Sequence, residues 1–394
     1  MEKRPIVSVY AICKNESMFA ERWVKSMWDN GNGADYICVL DTGSTDDTIN
    51  VLKQTAEKIG MPPDRMIIGQ ETFSPWRFDV PRNHSIELVP ECDVMICTDL
   101  DEILIHDFWD DLRQCVAEHP NFKRIYYQYA WQMDKETDTP KWYFWYDKIT
   151  QRHGWKWEYP VHETLALDSE YQYDGEYYLD ENKIYLRHYP DDTKSRSSYL
   201  GLLELRVKES PDDDYGLYYL AREYSFHSDY PMAIGMAIKL YSRIKNDKSN
   251  SLVADTCMCL GKWFVKCGDN EMADVWFRRG LSLNPTSREM YCDLAQSLAY
   301  EGKYVESEEV LQTMEEKSVH SHDWTMTDEA WAPWKKLQIQ AINACYRGDY
   351  ILAKYLFEEA LSCLKTQVDI EYASRSGLFN DYNWLNTSGK IQID

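Results

Sequence analysis

The chain contains no uninterrupted run of about 18 apolar residues, so nothing in it reads as a membrane-spanning helix. It has no Cys-x-x-Cys pair among its 11 cysteines, an odd number scattered through apolar periodic segments. That pattern excludes the spacing of a zinc site and makes a disulfide framework an unsuitable reading. Most of the thiols are expected to pack as small hydrophobes in a reduced, cytoplasmic protein. Positive charge is scarce: 43 Lys and Arg stand against 66 Asp and Glu, a formal net charge of −23. A broad nucleic-acid-binding surface is therefore not expected, because neutralising phosphates needs basic groups. The opening Met1-Glu-Lys-Arg-Pro-Ile-Val-Ser-Val9 enters a strand-like run directly and shows no apolar signal core.

The chain has 394 residues, of which 44% are hydrophobic and 14% aromatic, enough for two or three cores. Its first part alternates two periods. Ile6–Ile12, Tyr36–Leu40, Met66–Ile68 and Asp93–Thr98 are short apolar runs that read as buried strands. Between them, 16–28, 47–59 and 79–88 carry helical spacing, the last interrupted at its start by Pro81. Strand and helix in alternation predict a parallel sheet with right-handed crossovers. From Phe122 to Leu186 the text turns aromatic, with strand-like Ile125–Tyr129, Trp142–Tyr146, Tyr171–Tyr173 and Ile184–Leu186, and predicts a mixed or antiparallel extension. Tyr189–Ser197 has the composition of a linker.

After Ser198 the period is helical and repeats. Cys257, Leu260, Gly261 and Phe264, followed by Ala273, Phe277 and Gly280, are matched 34 residues later by Tyr291, Leu294, Ala295 and Leu298, then Ser307, Leu311 and Met314. Leu217–Leu240 and Leu337–Ala360 carry the same alternation of small and large residues, with Lys245–Asn250 as an insertion. Small residues let paired helices approach, which is the tetratricopeptide pattern.

The chemistry-bearing residues lie where strands end. Asp99-Leu-Asp101 follows an apolar strand, and two carboxylates there supply hard oxygen donors for Mn²⁺ or Mg²⁺ bridging a nucleotide's phosphates. The same residues also fit an acidic turn before the helix near Phe108. Asp41-Thr-Gly-Ser-Thr-Asp46 ends another strand; Asp41 suits hydrogen bonds from a base or ribose, and Ser44, Thr45 or Asp46 suits a helix cap. Ligands of such sheets bind beyond the carboxyl ends of the strands. Trp142, Trp145, Trp155 and Trp157 are candidates for sugar stacking or for core. His84, His106, His119 and His153 read as surface or capping residues, and His320 and His322 as a linker pair without metal partners.

Ala11-Ile-Cys-Lys-Asn-Glu16, Val39-Leu-Asp-Thr-Gly-Ser-Thr-Asp-Asp-Thr48, Pro81-Arg-Asn83, Thr98-Asp-Leu-Asp-Glu102 and Val161-His-Glu163, in this order, resemble glycosyltransferase family 2. The fusion to tetratricopeptide repeats is similar to a bacterial and phage subgroup that includes peptide S-glycosyltransferases. The resemblance implies a GT-A, Rossmann-like nucleotide-sugar-binding α/β domain over 1–195 and an all-α tetratricopeptide-repeat solenoid over 199–394. It implies an enzyme moving a sugar, with inversion, from a UDP-hexose or UDP-HexNAc to a peptide or protein acceptor. By the same resemblance Asp41, Arg82 and Asp99 would bind the nucleotide sugar. Asp99 and Asp101 would hold the metal with His188, or alternatively His162, and Glu163 would be the general base. A cell-envelope glycan, a modified phage DNA base, and a non-catalytic repeat scaffold are the competing readings. Self-association through the repeats is a further expectation.

Overall fold

The computed structural model describes residues 4–134, 137–191, 198–247, 251–319, 328–365, 367–388 and 390. The linker residues 192–197 and the pair His320 and His322 lie outside that set. The chain forms two compact units, Met1–Arg206 and Val207–Asp394. Among the described residues no helix is long and apolar enough to cross a membrane.

The first unit is a mixed α/β structure. In chain order it runs β1 (Val7–Cys13), α1 (Ser17–Trp28), β2 (Tyr36–Asp41), α2 (Thr48–Lys58), β3 (Met66–Gln70), α3 (Asp79–Glu87), β4 (Val94–Cys97), β5 (Glu102–Leu104) and α4 (Asp107–Glu118). It continues through β6 (Arg124–Met133), β7 (Pro140–Thr150), β8 (Trp155–Glu158), β9 (Thr164–Leu167), β10 (Glu176–Tyr178), β11 (Ile184–His188) and α5 (Tyr199–Glu209). The main sheet has the order β3-β2-β1-β4-β7-β6-β11-β5, with β10 beside β6. β3, β2, β1 and β4 are mutually parallel. β7 then runs antiparallel to both β4 and β6, while β11 is parallel to β6. The aromatic extension is thus mixed, but Tyr171–Tyr173 forms no strand; β10 begins later, at Glu176. Aromatic residues favour strands only where a half-buried pleat receives them.

The two-residue period sorts the strands' side chains onto two faces. Val7, Val9, Ala11 and Cys13 join Val94, Ile96 and the buried faces of α1 and α2 in one core. Tyr10, Cys38, Met95 and Cys97 point the other way, into a smaller core with Ile86 of α3 and Trp155, Trp157 and Leu165 of the β8–β9 ribbon. Pro81 does not interrupt α3. It stands in the first turn, where backbone N–H groups have no intrahelical acceptor to lose.

The second unit is helical. It pairs α6 (Asp214–Phe226) with α7 (Tyr230–Ile244), α8 (Leu252–Lys266) with α9 (Asn270–Leu283), α10 (Arg288–Tyr300) with α11 (Tyr304–Lys317), and α12 (Pro333–Arg347) with α13 (Tyr350–Ser362). Each turn between partners has a left-handed residue, Ser228, Gly268, Gly302 and Gly348 in order. In three of them an aspartate follows and caps the next helix: Asp229, Asp269 and Asp349 accept from Met232, Met272 and Leu352 N–H at 3.1–3.2 Å.

Gly261 of α8 marks the closest approach: a Cβ there would meet Phe277 Cε1 at 2.5 Å and Cδ1 at 2.6 Å. At Gly280 of α9 the nearest atom would be Met290 Sδ at 2.6 Å, the end of a flexible side chain. Alanine gains about 1 kcal/mol of helix propensity over glycine, against an overpacking cost of roughly 1–3 kcal/mol where a ring must move. Gly261→Ala is therefore expected to lower stability by up to about 2 kcal/mol and Gly280→Ala to be near neutral. Urea unfolding midpoints measure this, and equal midpoints for the two variants contradict it.

Candidate active site

Asp41 is the last residue of β2 and is buried. Its carboxylate accepts from Ser44 N–H at 3.2 Å, Gly43 N–H at 3.3 Å, the Ser44 hydroxyl and the Cys13 thiol. Gly43 sits at φ +104, a conformation that a side chain would strain. The loop after β1 is fastened to this turn. Asn15 Oδ1 accepts from Thr45 N–H at 2.7 Å, Asn15 N–H donates to Ser44 Oγ at 2.8 Å, and Glu16 N–H to Thr48 Oγ1 at 2.7 Å. Burial opposes ionisation of Asp46, but hydrogen bonds from Thr48 and Ser17 hold its pKa down to about 2. Two adjacent parallel strands thus end in one rigid polar rim.

The acidic motif spans the gap between β4 and β5. Asp99 is half-exposed, with 44% of its side chain open, and its N–H donates to Glu102 Oε2 at 2.9 Å. The β5–β11 ladder sets His188 opposite Glu102, and Tyr189 N–H extends it to Asp101 O at 2.8 Å. His188 Nε2 consequently lies 3.4 Å from Asp101 Oδ2. Its Nδ1 lies 3.0 Å from the carbonyl of Trp131, which can only accept, so Nδ1 carries a proton and Nε2 is the nitrogen turned to Asp101. Burial works against protonation of His188, and the Asp101 carboxylate overcomes it, raising its pKa above the ordinary value. Glu102 is buried; that burial, with Asp99 and Asp101 beside it, pushes its pKa up to about 8.

This donor set fits a divalent ion that takes much of its shell from a ligand. Asp101 offers a carboxylate, and the Trp131 carbonyl fixes the tautomer of His188 that presents Nε2, as outer partners of ligating histidines do. Among the described residues no group of three or more His, Cys, Asp or Glu is placed to hold a metal ion by itself. Mg²⁺-type sites characteristically use one or two carboxylates with substrate phosphates and water.

Arg82 joins the acidic motif to the segment around Glu163. It is buried in the first half of α3. Nη2 donates to Asp99 Oδ1 at 3.1 Å and Oδ2 at 3.3 Å, Nη1 to Cys97 Sγ at 3.3 Å, and Nε to Glu163 Oε1. Burial opposes its charge, yet Asp99 and Glu163 raise its pKa well above the ordinary value. Glu163 is held from behind as well. Arg206 of α5 donates to the carbonyls of Val161 at 3.0 Å and His162 at 2.7 Å, and lies over the Tyr159 ring at 3.8 Å. Tyr159 and His162 both have left-handed backbones in this clamped turn. Asn83 holds β8 through Trp157, accepting its N–H at 2.8 Å and donating to its carbonyl at 2.9 Å.

The structure therefore gathers Arg82, Asp99 and Glu163 in one hydrogen-bonded group, and places Asp101 with His188. Asp41 stands at the end of β2, bonded to its own loop. His162 packs edge-on against Tyr199 at 5.9 Å. Trp155 and Trp157 are core. His84, His106 and His153 face Glu71, Asp29 and Glu91, and His119 stacks on Tyr177. Sequence reasoning gave no role to Lys148, whose Nζ lies over the Trp157 ring at 4.2 Å and Tyr146 at 5.3 Å. Its signal was a lysine two residues after the aromatic run Trp142–Tyr146 of the same strand. Arg206 carried none, since its acceptors are backbone carbonyls.

No protein-family model matches the chain. Curated proteins similar to it include an uncharacterized glycosyltransferase of Rickettsia felis, 24% identical over 187 residues, covering 45% of this chain and 60% of that protein. An uncharacterized glycosyltransferase of Rickettsia bellii is 26% identical over 151 residues, 38% of this chain and 46% of that protein. The chain spans 60% and 46% of the lengths of these two relatives. Among solved structures, the tetratricopeptide-repeat protein YrrB matches 45% of this chain and 83% of its own at 16% identity and a TM-score of 0.34. The mannosyltransferase PcManGT of Pyrobaculum calidifontis, solved with GDP-Man and Mn²⁺, matches 32% of this chain and 36% of its own at 21% identity and a TM-score of 0.27. The chain is thus similar, over parts of its length, to proteins named as glycosyltransferases and to a tetratricopeptide-repeat protein.

Proposed function

We propose that the chain is a divalent-metal-dependent, inverting glycosyltransferase that moves a sugar from a UDP-sugar to a hydroxyl or thiol of a peptide or protein. The observation that carries this reading is the meeting of Arg82, Asp99 and Glu163 in one bonded group beyond the carboxyl end of β4, with Asp101 and His188 paired on the adjoining turn. The glycosyltransferase name of its curated relatives supports the same class.

In this reading Asp41 receives the base or ribose at the end of β2, and Asp99 the ribose side of the donor. Asp101, His188 and Asp99 would hold Mn²⁺ or Mg²⁺, which when bound offsets charge developing on the departing diphosphate. Arg82 keeps Asp99 and Glu163 at fixed positions beside the donor. Its bond to Glu163 uses Oε1, so Oε2 is the oxygen assigned to take the acceptor's proton. The acceptor's O–H or S–H bond breaks to Glu163, its oxygen or sulfur bonds to the anomeric carbon, and the bond from that carbon to the diphosphate breaks with its electrons leaving on UDP.

The test is a panel of UDP-hexoses and UDP-HexNAcs incubated with the full chain, with Mn²⁺ or with chelator. UDP release and a raised melting temperature are expected for at least one donor, and only with metal. Release that chelation leaves unchanged, or no donor that shifts the melting temperature, overturns the reading.

A further inference from the structure

We propose that Lys148 is an anion-binding residue of this site, taking a phosphate oxygen of the donor's diphosphate on its ammonium group. The inference rests on the donor reading above.

Its position follows from strand register. β7 pairs antiparallel with β4, Met95 opposite Thr150 and Ile96 opposite Ile149, and Lys148, the next residue along β7, lies within the electrostatic reach of Cys97. That is the strand end from which Asp99 emerges. Lys148 shares the sheet face of Cys97, and its Nζ lies over Trp157 at 4.2 Å. Arg82 lies over the same ring, at 5.1 Å.

The two cations differ in how they are compensated. Arg82 bonds to both Asp99 and Glu163. Lys148 has aromatic faces as its neighbours, and among the described residues no carboxylate lies within ion-pair distance of it. Burial pushes its pKa down to about 8, against the fields of Cys97 and Glu163. A partly desolvated ammonium facing rings gains less than one facing an anion. An anion brought to this place recovers what burial withholds.

The occupant is a phosphate by charge count. Asp99, Asp101 and Glu163 crowd this end of the sheet beside the buried Glu102, and a diphosphate adds further negative charge. Arg82 is already committed to two of these carboxylates. A divalent ion offsets part of the remainder, and Lys148 supplies a cation that, among the described residues, is in ion-pair contact with no carboxylate.

Lys148→Met keeps the length and removes the charge; Lys148→Arg keeps the charge. Titration calorimetry of the full chain with Mn²⁺ would measure UDP, GDP, inorganic diphosphate and uridine, alongside the melting temperature of ligand-free protein. Lys148→Met is expected to weaken UDP about tenfold to a hundredfold, the range of a charged hydrogen bond. It should also weaken inorganic diphosphate, leave uridine unchanged and leave the ligand-free melting temperature no lower. Lys148→Arg should restore most of the loss. UDP bound equally by Lys148→Met and the native chain overturns the assignment of Lys148 alone. So does uridine weakened as much as UDP, which marks a structural role. A native chain that binds neither UDP nor GDP with Mn²⁺ overturns the donor reading and this inference with it.

Discussion

Asp101→Asn is expected to lower metal-dependent donor cleavage by about three orders of magnitude while the protein stays folded. Asp101 offers the carboxylate nearest His188 Nε2, 3.4 Å away, and an amide oxygen is a far weaker donor to a hard divalent ion. Losing that ligand forfeits several kcal/mol of charge stabilisation on the leaving diphosphate. At 1.36 kcal/mol per factor of ten, about 4 kcal/mol corresponds to roughly a thousandfold in rate. The fold should tolerate the change, because the amide is isosteric and relieves repulsion with Asp99. The backbone carbonyl of Asp101, which receives Tyr189 N–H at 2.8 Å, is untouched. Initial rates over a Mn²⁺ titration, with circular dichroism as the folding control, measure it. A variant that keeps native rates at saturating Mn²⁺ removes Asp101 from the metal's shell. One that unfolds instead shows that the Asp101–His188 contact is structural.

What was legible beforehand was local. β1, β2 and β4 are short runs of Val, Ile and Leu that declare buried strands, and the aspartates at their ends stand where such sheets expose ligand-facing loops. The helical pairs were visible through Gly261, Ala273 and their counterparts, since small residues at fixed offsets have a packing reason. What stayed hidden depends on contacts between distant residues. β5 has only three residues and reads as the tail of an acidic turn. Its pairing with β11 nevertheless separates His188 from His162 as Asp101's neighbour. A motif gives an order of residues, whereas the partners of Arg82 come from α3 crossing both a strand end and the turn at Glu163. Tyr171–Tyr173 misled because these rings pack on the loop at His153 and Gly154 and on each other rather than on a strand's pleat.

Arg82→Met should be the most destabilising single change in the site, by about 3 kcal/mol, because it strands the Glu163 carboxylate, only 11% exposed, without its cation. The share owed to Asp99 is smaller, since that side chain is 44% exposed and water can take over from the guanidinium. Activity should fall as well: Asp99 and Glu163 would no longer be held on either side of the donor. Stability and activity separate in the double variant Arg82→Met with Glu163→Gln. Removing both charges takes away the stranded carboxylate, so the pair should recover at least half of the lost stability, a coupling that a double-mutant cycle reads directly. Donor cleavage and transfer should stay low in both, because restoring the fold does not restore the base. Denaturation midpoints and turnover of the native chain, both single variants and the double supply the four corners of each cycle. If the double variant is destabilised by the sum of its parts, the buried pair is not coupled, and Arg82 stabilises α3 by packing on Trp157 instead. If transfer persists in Glu163→Gln, the proton goes to another acceptor and Glu163 serves only to hold Arg82.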